Sequence, residues 1–183
     1  MTLDELIVSA LQRLDRGTDT QTITQYRPLF TMYANKAIKL IADEYKACKK
    51  ETVTLDSESS FSILDLSHGC KKIVKITDST HKAVDWWQDP PGSGLVTVDT
   101  TDAVATVTYR FVPKEVSSTI DVPEVPEIFH DIIPYYIVAC ERAGGDPSTQ
   151  STASVDFQLF NSQLNEMCRS HLGERRAYEL ANY

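Results

Sequence analysis

The apolar residues of this chain change their period twice, and that change restricts the fold more than any other feature. Up to about residue 50, and again from about residue 122, they recur every three or four positions, the mark of amphipathic helices. In between they alternate with polar residues, the mark of half-buried strands. Leu3, Leu6, Ile7, Ala10, Leu11 and Leu14 predict a helix over 3–16, opened by a Thr2/Glu5 capping box and ended by Gly17 and the Thr-rich stretch after it. A second helix, over 25–49, carries a stripe from Tyr26 through Phe30, Ala34 and Ile38 to Tyr45 and Cys48. Pro28 falls in its first turn, and Lys46, Lys49 and Lys50 suit its negative end.

From residue 51 the pattern is that of short strands: Val53/Leu55, Phe61/Ile63, Ile73/Ile76, Val84 to Trp86, Val96 to Val98, and Val104 to Phe111, the clearest of them. Asp89-Pro90-Pro91-Gly92 is a strong turn signal. Five or six such strands suffice for a small antiparallel sandwich or barrel. Val122-Pro123-Glu124-Val125-Pro126 is a stiff connector. A third helix follows from Pro126, striped by Phe129, Ile132, Ile133, Tyr136, Ile137 and Cys140, with Pro134 inside it as a kink. Gly144-Gly145-Asp146-Pro147 stops it. After a Ser/Thr-rich link, a last helix over 154–172 presents Phe157, Phe160, Leu164, Met167, Cys168 and His171. The expected fold is α+β: a four-helix core from residues 1–50 and 122–183, a β-module inserted at 51–121, and a tail at 173–183.

With 183 residues the chain can hold one core or two small cooperating ones. No apolar run approaches the roughly 20 residues that cross a membrane. Acids stand at the N-terminus where a signal peptide carries bases, so the reading is a chain that stays in the cytoplasm where it is made. The four cysteines are far apart and read as small buried hydrophobes. The net charge of −8 is uneven: residues 1–50 sum to +2, 51–125 to −6 and 126–183 to −4. An acidic middle and end repel phosphate, which opposes nucleic-acid binding by charge but not a surface that DNA slides past.

Chemistry-bearing residues are sparse. Cys140 lies ten positions after His130, about 15 Å along a helix, too far for a nucleophile and base to touch. Cys168 and His171 share a helical face, but no second close pair joins them, since His68 and Cys70 sit in a loop. Gly92-Ser93-Gly94 lacks the Lys-Ser/Thr and helix of a phosphate loop. Lys49-Lys50 and Lys71-Lys72 read as solvated pairs. Trp86 and Trp87 fall on opposite faces of a strand, one expected in the core and the other exposed or at a subunit interface. No catalytic residue, metal site or cofactor is assigned.

The residues 122–131, Val-Pro-Glu-Val-Pro-Glu-Ile-Phe-His-Asp, lead into a stretch at 132–143 rich in Ile, Tyr and Ala. Together with the helix–helix–β–helix–helix order, this resembles the head-to-tail adaptor proteins of tailed bacteriophages. In that family a β-rich region ends in a proline, two residues, a second proline and a Phe/Tyr-His-Asp/Glu lead-in to such a helix. The resemblance is architectural over nearly the whole chain and residue-specific only over 122–143. It implies a virion protein of the neck, made in the host cytoplasm, that assembles as a ring (typically twelve-fold) beneath the portal protein. It further implies contacts with neighbouring copies and with the next neck or tail protein, a lumen through which DNA passes without specific binding, and no membrane partner. Portal docking then falls to the tail, with Arg175, Arg176, Tyr178, Leu180 and Tyr183 as anchors, Arg and Tyr being types that carry interfaces. Competing expectations are another neck or tail-completion protein, a small cytosolic regulatory domain, or an enzyme that would depend on Cys140 or His130.

Overall fold

The N-terminal signal folds as read. In the computed structural model, which describes the backbone of residues 1–181 and the side chains of residues 1–170, Thr2 Oγ1 accepts from the Glu5 amide at 3.3 Å. The Glu5 carboxylate accepts from the Thr2 amide at 2.8 Å in return. Helix α1, Leu3–Arg13, buries Leu3, Leu6, Ile7, Ala10 and Leu11. It stops before Gly17 because Asp15 turns into the left-handed region at φ 53°.

Helix α2 spans Thr20–Tyr45, starting and ending earlier than its stripe suggested. Asp19 takes the capping role: its Oδ1 accepts from the amides of Gln21 and Thr22, each at 3.1 Å. Pro28 therefore lies inside the helix rather than in its first turn, on the exposed side. At the other end Lys46 adopts φ 57° and breaks the helix. Lys49 and Lys50 consequently belong to a strand and do not neutralise a helix end.

Six strands follow: β1 Cys48–Thr54, β2 Ser60–Ser62, β3 Cys70–Thr77, β4 Trp86–Trp87, β5 Leu95–Val98 and β6 Val104–Phe111. They form two antiparallel three-stranded sheets, ordered β1-β6-β3 and β2-β5-β4. The expected barrel is not formed, because each sheet keeps two edge strands and β4 has only two residues with which to extend a ladder. β6 is the spine of the first sheet: Ala105, Val107, Tyr109 and Phe111 are all buried, in strict alternation. Cys48 pairs with Arg110, so the first strand of the module lies beside its last.

The chain divides into two compact units, one of Met1–Tyr45 with Lys114–Tyr183 and one of Lys46–Pro113. In the helical unit a 3-10 turn, Glu127–Ile132, precedes α3, Ile133–Ala143. Pro134 sits at the start of α3, where its missing amide is harmless, so the expected kink does not arise. The last helix, α4, is Pro147–Ala181, longer than expected at both ends. Its Ser/Thr-rich opening is helical, with hydroxyls that fold back onto carbonyls one turn earlier instead of competing for the backbone, Thr152 onto Thr149 at 2.7 Å and Ser154 onto Ser151 at 2.9 Å.

Helix α3 packs against α1, α2 and α4. Phe129 is fully buried with its ring 5.0 Å from that of Tyr45, and Tyr136 meets Phe160 at 5.1 Å. Each such buried large side chain stabilises by about 1.5–3 kcal/mol. Arg16 pairs with Glu141 at 2.8 Å, and Arg142 with Asp156 at 2.7 Å, partly shielded in both cases. Only Cys168 of the four free cysteines is buried; the other three are half-buried.

Candidate interaction surfaces

The sequence-predicted tail falls at the edge of what the structure describes. The backbone of α4 is helical through Ala181, whereas the side chains of His171, Arg175, Arg176, Tyr178 and Leu180, and all of Tyr183, lie outside the described residues. Helix α4 is anchored before that point by buried Ala153, Phe160, Leu164 and Cys168.

Trp86 and Trp87 form β4, an edge strand, and neither is core: 36% of Trp86 and 49% of Trp87 is exposed. Register explains the split between faces. Trp86 stands opposite the buried Val98, and Trp87 opposite Thr97 on the outer face, where Leu95 is also exposed. Alternation was therefore read correctly, but edge position leaves even the inward-facing indole half open. Trp86 lines a cleft of about 330 Å3 with Ile63, Cys70, Lys72 and Ile73. Strand β3 supplies its basic wall, and its Lys72, Val74 and Lys75 are exposed.

In the helical unit the segment before the 3-10 turn presents an apolar knob. Asp121 accepts from the amides of Ser117 and Ser118, each at 2.8 Å, and its carbonyl accepts from the Leu3 amide at 2.8 Å. Those amides hold the Asp121 carboxyl below its ordinary value. The tie leaves Ile120 77% exposed and Val122 54% exposed, with Glu127 and Ile128 exposed just beyond. Nothing in the sequence pattern singled out this knob, because a lone Ile between Thr and Asp has no period. A second apolar exposure, Leu29, Met32 and Leu40, runs along α2.

His130 and Cys140 do not meet. The His130 ring is buried, its Nε2 3.0 Å from the Val125 carbonyl and its Nδ1 2.8 Å from the Met1 amine. Burial, aided by that positive charge, pushes its pKa down. Burial likewise pushes the Cys140 thiol up, away from reactivity. Among the described residues no three His, Cys, Asp or Glu side chains gather where they could hold a metal ion, and no helix is long and apolar enough to cross a membrane.

The β-unit contains one dense polar cluster that sequence reading missed. Glu51 on β1 accepts from the Ser67 hydroxyl and the Tyr109 hydroxyl, and from the Ser67 amide at 2.9 Å. His68 Nδ1 lies 2.7 Å from Ser67 Oγ, and Lys49 Nζ 2.8 Å from His68 Nε2. Burial opposes the Glu51 charge, but the donors from Ser67 and Tyr109 outweigh it and hold the carboxyl at about 2. Burial and the bond to Glu51 push Tyr109 up to about 12. Since the Ser67 proton is committed to Glu51, the imidazole donates to Ser67 and accepts from Lys49. That is the reverse of a serine activated by a histidine base. The cluster ties the 66–68 loop to β1 and β6.

Compared with known proteins, the chain matches no protein-family model and no curated protein.

Proposed function

We propose that this chain is a structural subunit of a tailed-phage head-to-tail connector, an adaptor that forms a ring beneath the portal, and that it has no catalytic role. The observation that carries this reading is the element order. Two helices, a β-module and two helices follow one another, with the Pro123/Pro126 connector and buried His130 leading into α3. In this reading the four helices form one core into which the β-module is inserted. The knob at Ile120 and the stripe on α2 suit a protein that buries surface against other subunits, since the largest exposed apolar patches mark interaction sites. The tail at 173–183, with Arg175, Arg176, Tyr178, Leu180 and Tyr183, is assigned to the portal, and the acidic balance suits a lumen that DNA passes without sticking.

Single-particle electron microscopy of the chain mixed with the portal protein from its own phage tests this. The expected result is an added ring of density below the portal. A bare portal, with the chain left as monomer or dimer, would transfer the reading to a lower neck component or a regulatory binding domain.

A further inference from the structure

The two units differ sharply in charge. The helical unit holds seven net negative charges and the β-unit one. Within the β-unit three of the six exposed bases, Lys71, Lys72 and Lys75, stand together on β3, an edge strand, while Asp78, Asp85, Asp99 and Asp102 lie around the hairpin ends. Lysines on an edge strand ordinarily do no more than prevent strands of other molecules from adding, and the two register shifts in the β3–β6 ladder serve the same end. That purpose does not account for the exposed apolar groups Val74, on the same strand, and Trp86, which shares a cleft with Lys72. Exposed lysines beside exposed large hydrophobics describe the rim and centre of an interface rather than a protected edge.

We infer that in the connector ring this basic, aromatic β3–β4 edge of one copy receives the acidic 117–128 segment of the next copy. The inference rests on the ring reading above. The segment is complementary in both respects. Its Ile120, Val122 and Ile128 are exposed apolar groups, and Asp121 and Glu127 set negative charge beside them. It is also rigid before binding, since Asp121 locks the Ser117–Ser118 turn and the Thr119 and Asp121 carbonyls receive the first amides of α1. Little ordering cost is therefore left for association. The cleft beside Trp86, about 330 Å3, takes side chains and not a strand. Contact is made by Ile120 and Val122 entering between Trp86 and Ile73, with Lys72 and Lys75 facing the acids. Because the two surfaces are different patches of one chain, the contact is heterologous and propagates around a ring.

The test uses the full chain with p-benzoylphenylalanine in place of Trp86, and separately in place of Ile120, under photo-cross-linking and mass spectrometry. Trp86 must mark residues 114–128 of another copy, and Ile120 must mark β3 or β4. Sedimentation velocity of K72E/K75E and of I120D must show self-association at least tenfold weaker than wild type, and raised salt must weaken the wild type. Wild type that stays monomeric up to about 1 mM, a free energy of association weaker than about 4 kcal/mol, overturns this contact, whereas the ring reading itself falls only if the portal stays bare in the experiment above. Self-association that survives the variants, or cross-links confined to other segments, overturns the contact alone. Loss of single-stranded DNA binding in K72E/K75E with self-association intact would replace it by a nucleic-acid surface.

Discussion

The Glu51 cluster makes the sharpest physical prediction. Glu51→Gln keeps an acceptor facing Ser67 and Tyr109 and removes only the charge that their hydrogen bonds favour. The fall from 4.5 to about 2 corresponds to at most about 3 kcal/mol. Since the carboxylate is partly open to water, roughly 1–2 kcal/mol of that reaches stability. The folded value lies below the unfolded one, so the contribution is complete above about pH 4.5 and disappears as pH falls toward about 2. Both tryptophans of the chain belong to the β-unit, so their fluorescence in urea melts reports that unit alone. At neutral pH the variant should be less stable than wild type by roughly 1–2 kcal/mol, and the gap should close as the pH is lowered to about 2. A gap that stays constant over this range would refute the argument that ionisation of Glu51 holds the 66–68 loop to the sheet.

The helical unit gives three further predictions. Phe129→Ala, at a fully buried position against Tyr45, should cost about 3–5 kcal/mol, read by circular dichroism at the helical band. Thr2→Ala removes one half of the capping box and should cost about 1 kcal/mol in the same melt. His130, with its folded pKa depressed by burial, binds fewer protons than in the unfolded chain. Stability of this unit should therefore fall as pH drops from about 6.5, and the His130 ring should titrate below the ordinary histidine value in NMR.

The legible parts of this fold were those where a local signal and the final environment agree. The Thr2/Glu5 box and the β6 alternation are complete in a few residues, so reading and structure coincide. Helix limits were misjudged where a backbone flip decides them. Asp15 and Lys46 take positive φ with no glycine to announce it, and Asp19 caps a stretch whose threonines looked like a loop. Alternation puts Trp86 and Trp87 on opposite faces, yet exposure depends on which strand ends a sheet, a property of topology that alternation does not carry. The Glu51–Ser67–Tyr109 cluster joins three segments distant in sequence, and no spacing rule connects them.

The pairing of Cys48 with Arg110 has a consequence for how such chains can vary. Opposed residues in an antiparallel ladder lie about 5 Å apart, so the module leaves its sheet beside the point where it began. A segment with adjoining ends behaves as a cassette. It can be excised and its host chain rejoined by a short turn, or be lifted into another loop, without stretching either partner. The helical unit and the β-unit can therefore be exchanged or enlarged separately, since the module begins and ends on two neighbouring stretches of backbone.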